Sequence, residues 1–139
     1  MATTGTAVTG PRSPAEVWER YARPAVWSSW APQIRDVEVD VDRLEAGVTG
    51  RVLGWGGLSA DFVVDTWDED HLRWGWTVRP HVALPPGVPH SGRLPEVRLR
   101  HGVRSAGSGS RAWLVVHGPA LLVAGYFLPA RLALHRLTH

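Results

Sequence analysis

Between Ile34 and Asp42 the chain alternates strictly, Val37, Val39 and Val41 against Asp36, Glu38, Asp40 and Asp42, which is the period of a strand with one wet face. The same period returns, punctuated by glycines, over Thr49 to Trp55, Ala60 to Trp67, His71 to Arg79, Pro95 to Ser105 and Ser110 to His117. Asp68-Glu69-Asp70 and Ala106-Gly107-Ser108-Gly109 read as turns, and Thr3 to Thr9 adds a first strand. The pattern predicts six or seven antiparallel strands.

Helical spacing occurs in only two places. Near the start, Ser13-Pro14-Ala15-Glu16 supplies a capping hydroxyl, a proline at the first helical position and a carboxylate three residues after the cap. Val17, Trp18 and Tyr21 then share one side, and a second short helix runs from Pro24 through Val26, Trp27 and Trp30 until Pro32 ends it. At the other end, Gly118-Pro119 opens a greasy helix carrying Leu121, Leu122, Val123, Phe127, Leu132, Leu134 and Leu137, which must lie against the sheet. Pro129 lacks a backbone donor and crowds the preceding turn, so a kink or break is expected near Tyr126 to Leu128. The fold class is α+β.

Composition narrows the chemistry. The 139 residues predict a single domain, residues 1–139, large enough to need no metal or disulfide staple. With no cysteine there is no thiolate nucleophile, disulfide or cysteine metal site; with no lysine there is no Schiff base and no Walker-type phosphate loop. Arginine supplies all fifteen basic side chains for a net charge of +2, without the basic stripe that nucleic acid requires. No HExxH, GxSxG or GxGxxG motif is present. His135 and His139 have a chelating spacing but no third ligand nearby, so neither a metal nor a cofactor is expected. The apolar run from Ala120 to Ala130 falls short of the about 20 residues of a membrane-spanning helix, and the first residues lack the basic and apolar runs of a signal peptide. A cytoplasmic protein, monomeric or homodimeric, is the expectation.

Several segments resemble one known family: SPAEVW at Ser13 to Trp18, WSSWAPQI at Trp27 to Ile34, GxxGRV at Gly47 to Val52, RxGW at Arg73 to Trp76, LRHGV at Leu99 to Val103 and the Gly-Pro start of the last helix. Together, from Val8 to Leu137, they resemble the SRPBCC superfamily (START and birch-allergen-like domains), in its polyketide cyclase/dehydrase branch. The resemblance implies a helix-grip fold, a curved antiparallel sheet around a C-terminal helix with two short helices after the first strand. It also implies an apolar cavity between sheet and helix for a small hydrophobic molecule that is polyketide-, aromatic- or lipid-like. Pro129 and the proline-rich segment between Arg79 and Pro95, with His81, Pro85, Pro86 and His90, depart from the family pattern where a ligand would enter.

Alternation nominates the lining. Leu99 and His101 share the inward face of one strand with Val97 and Val103; Trp74 and Trp76 share another with Leu72 and Val78; Phe62, Val64, Leu114 and Val116 extend it. Two indoles offer flat walls with N–H donors, and Tyr126 offers an inward hydroxyl from the helix. His101 is either a satisfied core histidine or a ligand-binding or acid–base group, the latter making the protein a cofactor-independent cyclase, aromatase or dehydratase. Trp18, Trp27 and Trp30 pin the small helices, Trp30 closest to the cavity mouth. Asp61 and Asp65 face solvent. Arg98, Arg100, Arg104 and Arg111 line the opposite strand face, which is either a solvated convex face or a surface for an anionic partner such as an acyl carrier protein.

Overall fold

In the computed structural model, which describes residues 1–82, 86–87, 92–93 and 95–139, the strands are β1 (Ala2–Gly10), β2 (Asp36–Val39), β3 (Thr49–Leu53), β4 (Leu58–Asp68), β5 (Arg73–Val82), β6 (Gly92–Arg93), β7 (Val97–Ala106) and β8 (Gly109–Gly118). They form a curved antiparallel sheet in the order β1-β8-β7-β5-β4-β3-β2, with the two-residue β6 pairing β5 off that path. The helices are α1 (Pro14–Ala22), α2 (Trp27–Trp30) and the C-terminal α3 (Ala120–Thr138). Seven strands on the main path, with the two-residue β6 as an eighth beside it, two short helices after β1 and a C-terminal helix reproduce the expected fold class. Pro85 and His90 lie outside the described residues.

The capping box forms as its residue types dictate: Ser13 Oγ accepts from the Glu16 backbone N–H at 3.2 Å and donates to Glu16 Oε1 at 3.2 Å. Val17, Trp18, Tyr21 and Ala22 are the buried stripe of α1. The second helix begins as a 3-10 turn over Pro24–Val26 and becomes α-helical only at Trp27. Its two indoles tie it to α1, Trp27 Nε1 donating to the Tyr21 carbonyl at 2.9 Å and Trp30 Nε1 to the Arg20 carbonyl at 3.2 Å.

Three sequence expectations are corrected. The strand starting at Ile34 is shorter, because Ile34 turns into the core ahead of β2. His71 and Leu72 precede β5, in a turn where Leu72 takes φ 53° and Asp68 accepts the His71 N–H at 3.2 Å. No break occurs in α3, which runs through Pro129 as one helix. Burial on both sides of the proline, Val123 before it and Ala130, Ala133, Leu134 and Leu137 after it, clamps the axis to the sheet. The carbonyl that a 129 N–H would have met belongs to Gly125, an exposed residue.

A register shift between Val64 and Thr66 interrupts the β4–β5 ladder, so that Trp67 rather than Thr66 pairs with Trp74. This bulge turns Trp67 toward the core, its ring centroid 4.4 Å from that of Trp18. On the outer face, Trp113 lies across Gly102, where a Cβ would come within 2.3 Å of the indole. Gly50 is likewise required, since a Cβ there would come within 2.8 Å of Phe62.

The two halves of α3 meet the sheet differently. Its C-terminal half is seated: Ala130, Ala133, Leu134, Leu137 and Thr138 are buried, and Arg20 Nη1 donates to the Arg136 and Leu137 carbonyls at 2.8 and 3.0 Å. That guanidinium satisfies helix-end acceptors and complements the negative end of the dipole. The N-terminal half buries only Val123, while Leu121, Phe127 and Leu128 are exposed. Leu121, Phe127 and Leu132, expected against the sheet, instead face outward.

Candidate ligand-binding site

Where the N-terminal half of α3 stands away from the sheet, a cavity of about 410 Å³ opens. Ile34, Val52, Val78, Val97, Leu99 and Leu122 supply apolar walls, closed by Trp76, Pro129 and Tyr126. Such a volume suits a small organic ligand. Leu58 and Leu121, 51% and 89% exposed, stand at its mouth.

The polar groups are few. Gln33 Nε2 donates to the Tyr126 hydroxyl at 3.2 Å, leaving that hydroxyl's own proton free to donate, and the Gln33 carbonyl oxygen is buried without a partner among the described residues. Burial raises the Tyr126 pKa, so the phenol is neutral. At the mouth, His81 turns its ring to Asp61, Nε2 to Oδ2 at 3.1 Å, and Asp61 also accepts from Arg51 Nε at 2.8 Å. These two hydrogen bonds hold the Asp61 carboxyl below its usual range, the arginine's being the larger.

Seven of the nominated residues divide between two spaces. Trp76, Leu99 and Tyr126 line the large cavity. Trp30, Trp74, His101 and Leu114 instead surround a second void of about 20 Å³ deeper in the core, which Trp76 and Tyr126 also touch. Trp30 is therefore not at the large cavity's mouth. Phe62 and Val64 are buried packing on the same sheet face, the Phe62 ring 5.2 Å from that of Trp76. Residues overlooked as lining were Ile34, Val52, Val78, Val97 and Leu122; the alternation that selected Leu99 and Trp76 already marked Val97 and Val78 as inward.

His101 is 5% exposed and stacks on Trp74, with centroids 4.5 Å apart and planes at 11°. Tyr21 meets it edge-on at 5.4 Å. Neither imidazole nitrogen has a hydrogen-bond partner among the described residues, and burial lowers its pKa to about 3, so the ring is neutral. The indole N–H groups of Trp74 and Trp76 are also unpartnered there.

Outside the site, Asp65 accepts from Thr77 Oγ1 at 2.7 Å on the outer face. Arg98, Arg100 and Arg104 are exposed on that face, and Arg104 pairs across the hairpin with Arg111, which donates to Thr9 Oγ1 at 2.9 Å. His135 and His139 stack at 3.9 Å, and no group of three or more metal-ligating side chains occurs among the described residues. No helix among them is long and apolar enough to cross a membrane.

No family model matches the chain, and no curated protein matches it significantly in sequence. Solved structures do match it in three dimensions. Ara h 8.0201 superposes with TM-score 0.72 at 15% identity, over 99% of this chain and 95% of that one. Protein MLL2253 from Mesorhizobium loti gives 0.74 at 13% identity, over 99% and 94%. DynU16, from the dynemicin biosynthetic locus, gives 0.69 at 18% identity over 97% of this chain, which spans 46% of DynU16. The described architecture and these superpositions show the helix-grip fold that the sequence resemblance implies.

Proposed function

We propose that the protein binds a small, largely apolar molecule between the inner face of β3, β4, β5 and β7 and the N-terminal half of α3. The observation that carries this reading is the cavity of about 410 Å³, walled by aliphatic side chains and Trp76 and offering a few convergent polar groups. The resemblance to the polyketide cyclase/dehydrase branch supports a polyketide-, aromatic- or lipid-like ligand. Acid–base catalysis by His101 draws less support, because that ring does not line the large cavity and a pKa lowered to about 3 leaves it without the imidazolium proton of a general acid and weak as a base at neutral pH. The test is a titration with anilinonaphthalene sulfonate, followed by quenching of tryptophan emission. Saturable one-to-one binding is expected, and absence of saturable binding by this and by uncharged aromatic probes would reject the reading.

A further inference from the structure

Three aromatic rings around the inner void carry nitrogen atoms that nothing among the described residues satisfies: the indole N–H groups of Trp74 and Trp76 and both nitrogens of His101. Their centroids lie 4.5 to 6.2 Å apart, and all three rings line the same space of about 20 Å³. Buried polar groups left unpaired are costly, and a cluster of them calls for a common partner. The void has room for about one oxygen-sized group.

The chemistry of that partner follows from the donor count. Each indole can only donate, a neutral imidazole donates once and accepts once, the Tyr126 hydroxyl has a proton free to donate and the Gln33 carbonyl oxygen accepts, so donors outnumber acceptors. Among the described residues no charged side chain lines the void, so a carboxylate there would be a buried, uncompensated charge. Gln33, Ile34, Trp76 and Tyr126 line this void and the large cavity alike, and the Gln33–Tyr126 hydrogen bond lies on that shared wall.

We propose that the inner void is the polar end of the ligand cavity, where Trp74, Trp76 and His101 hold the carbonyl oxygen of a ketone- or quinone-bearing ligand whose apolar body fills the larger space. This assignment rests on the ligand-binding reading above and deepens it. Hydrocarbon ligands of the same shape leave the N–H groups unpaired and are discriminated against.

The experiment compares fluorenone with fluorene, rigid tricycles differing at the carbonyl, by calorimetric titration and by ¹⁵N–¹H spectra of the indole side chains. Fluorenone is expected to bind about 10-fold or more tighter, shifting the indole resonance of Trp74, which borders the inner void but not the large cavity and which fluorene leaves in place. In Trp74→Phe the ratio of fluorenone to fluorene affinity should fall; an unchanged ratio would remove Trp74 from the carbonyl site. Equal affinities with an unshifted Trp74 indole would overturn the carbonyl site and leave a water-sized void only, with the cavity reading intact. If neither probe binds, the cavity reading fails and the carbonyl site with it.

Discussion

The imidazole of His101 lies flat on the indole of Trp74, 4.5 Å between centroids, and neither of its nitrogens finds a partner among the described residues. A proton added there is buried without compensation, which is why burial lowers the pKa to about 3. Between the ordinary histidine value of about 6.5 and that folded value, the unfolded chain binds a proton that the native chain does not. Stability is therefore expected to fall as pH drops from about 6.5 toward 3, with His101 contributing up to about 1.4 kcal/mol per unit. Urea denaturation between pH 7 and 5 should show this slope, and His101→Phe, which keeps a stacked ring, should flatten it. An unchanged slope in the variant would remove His101 as its source.

Arg20 joins α1 to the end of α3 through two carbonyls. Arg20→Leu removes both hydrogen bonds while keeping an aliphatic stem, and is expected to cost about 1–3 kcal/mol. Thermal denaturation checks it, with Arg20→Lys falling between the variant and the native chain.

Pro129 sits inside an unbroken helix and forgoes one backbone hydrogen bond. Pro129→Ala restores the donor and removes a ring that lines the cavity. Interior prolines cost roughly 3 kcal/mol, so a net gain of about 1–2 kcal/mol is expected after the lost packing. A destabilised variant, measured by urea denaturation, would show that the ring's packing outweighs the hydrogen bond.

Val78 borders the large cavity but not the inner void. Val78→Trp should fill the cavity and lower the affinity for apolar probes by about 10-fold or more while leaving the His101-dependent acid slope in place. Undiminished affinity would place the probe elsewhere.

Strand faces and the α1 cap were legible because they depend on spacing and on residue types that act locally. Alternation placed Trp74, Trp76, Leu99 and His101 on one face correctly, yet it could not say at what height along the strands the helix departs from the sheet. That height is set by tertiary contacts, the Arg20 cap and the buried Ala130, Ala133 and Leu137 on α3. Hence Leu99 and His101, two residues apart, border different spaces. Trp67 was unreadable for another reason, since the bulge after Val64 breaks the period on which its face would be judged. The continuity of α3 through Pro129 reflects packing that overrides a local preference.

The central claim is where the ligand sits, and methyl-resolved NMR of the protein titrated with fluorenone tests it most directly. Val52, Val78, Val97, Leu99 and Leu122 border the large cavity, whereas Val17 and Leu137 are buried away from it. The account predicts saturable shifts of the first set and little change in the second. Binding that leaves the Val78, Val97 and Leu99 methyls unmoved would contradict it.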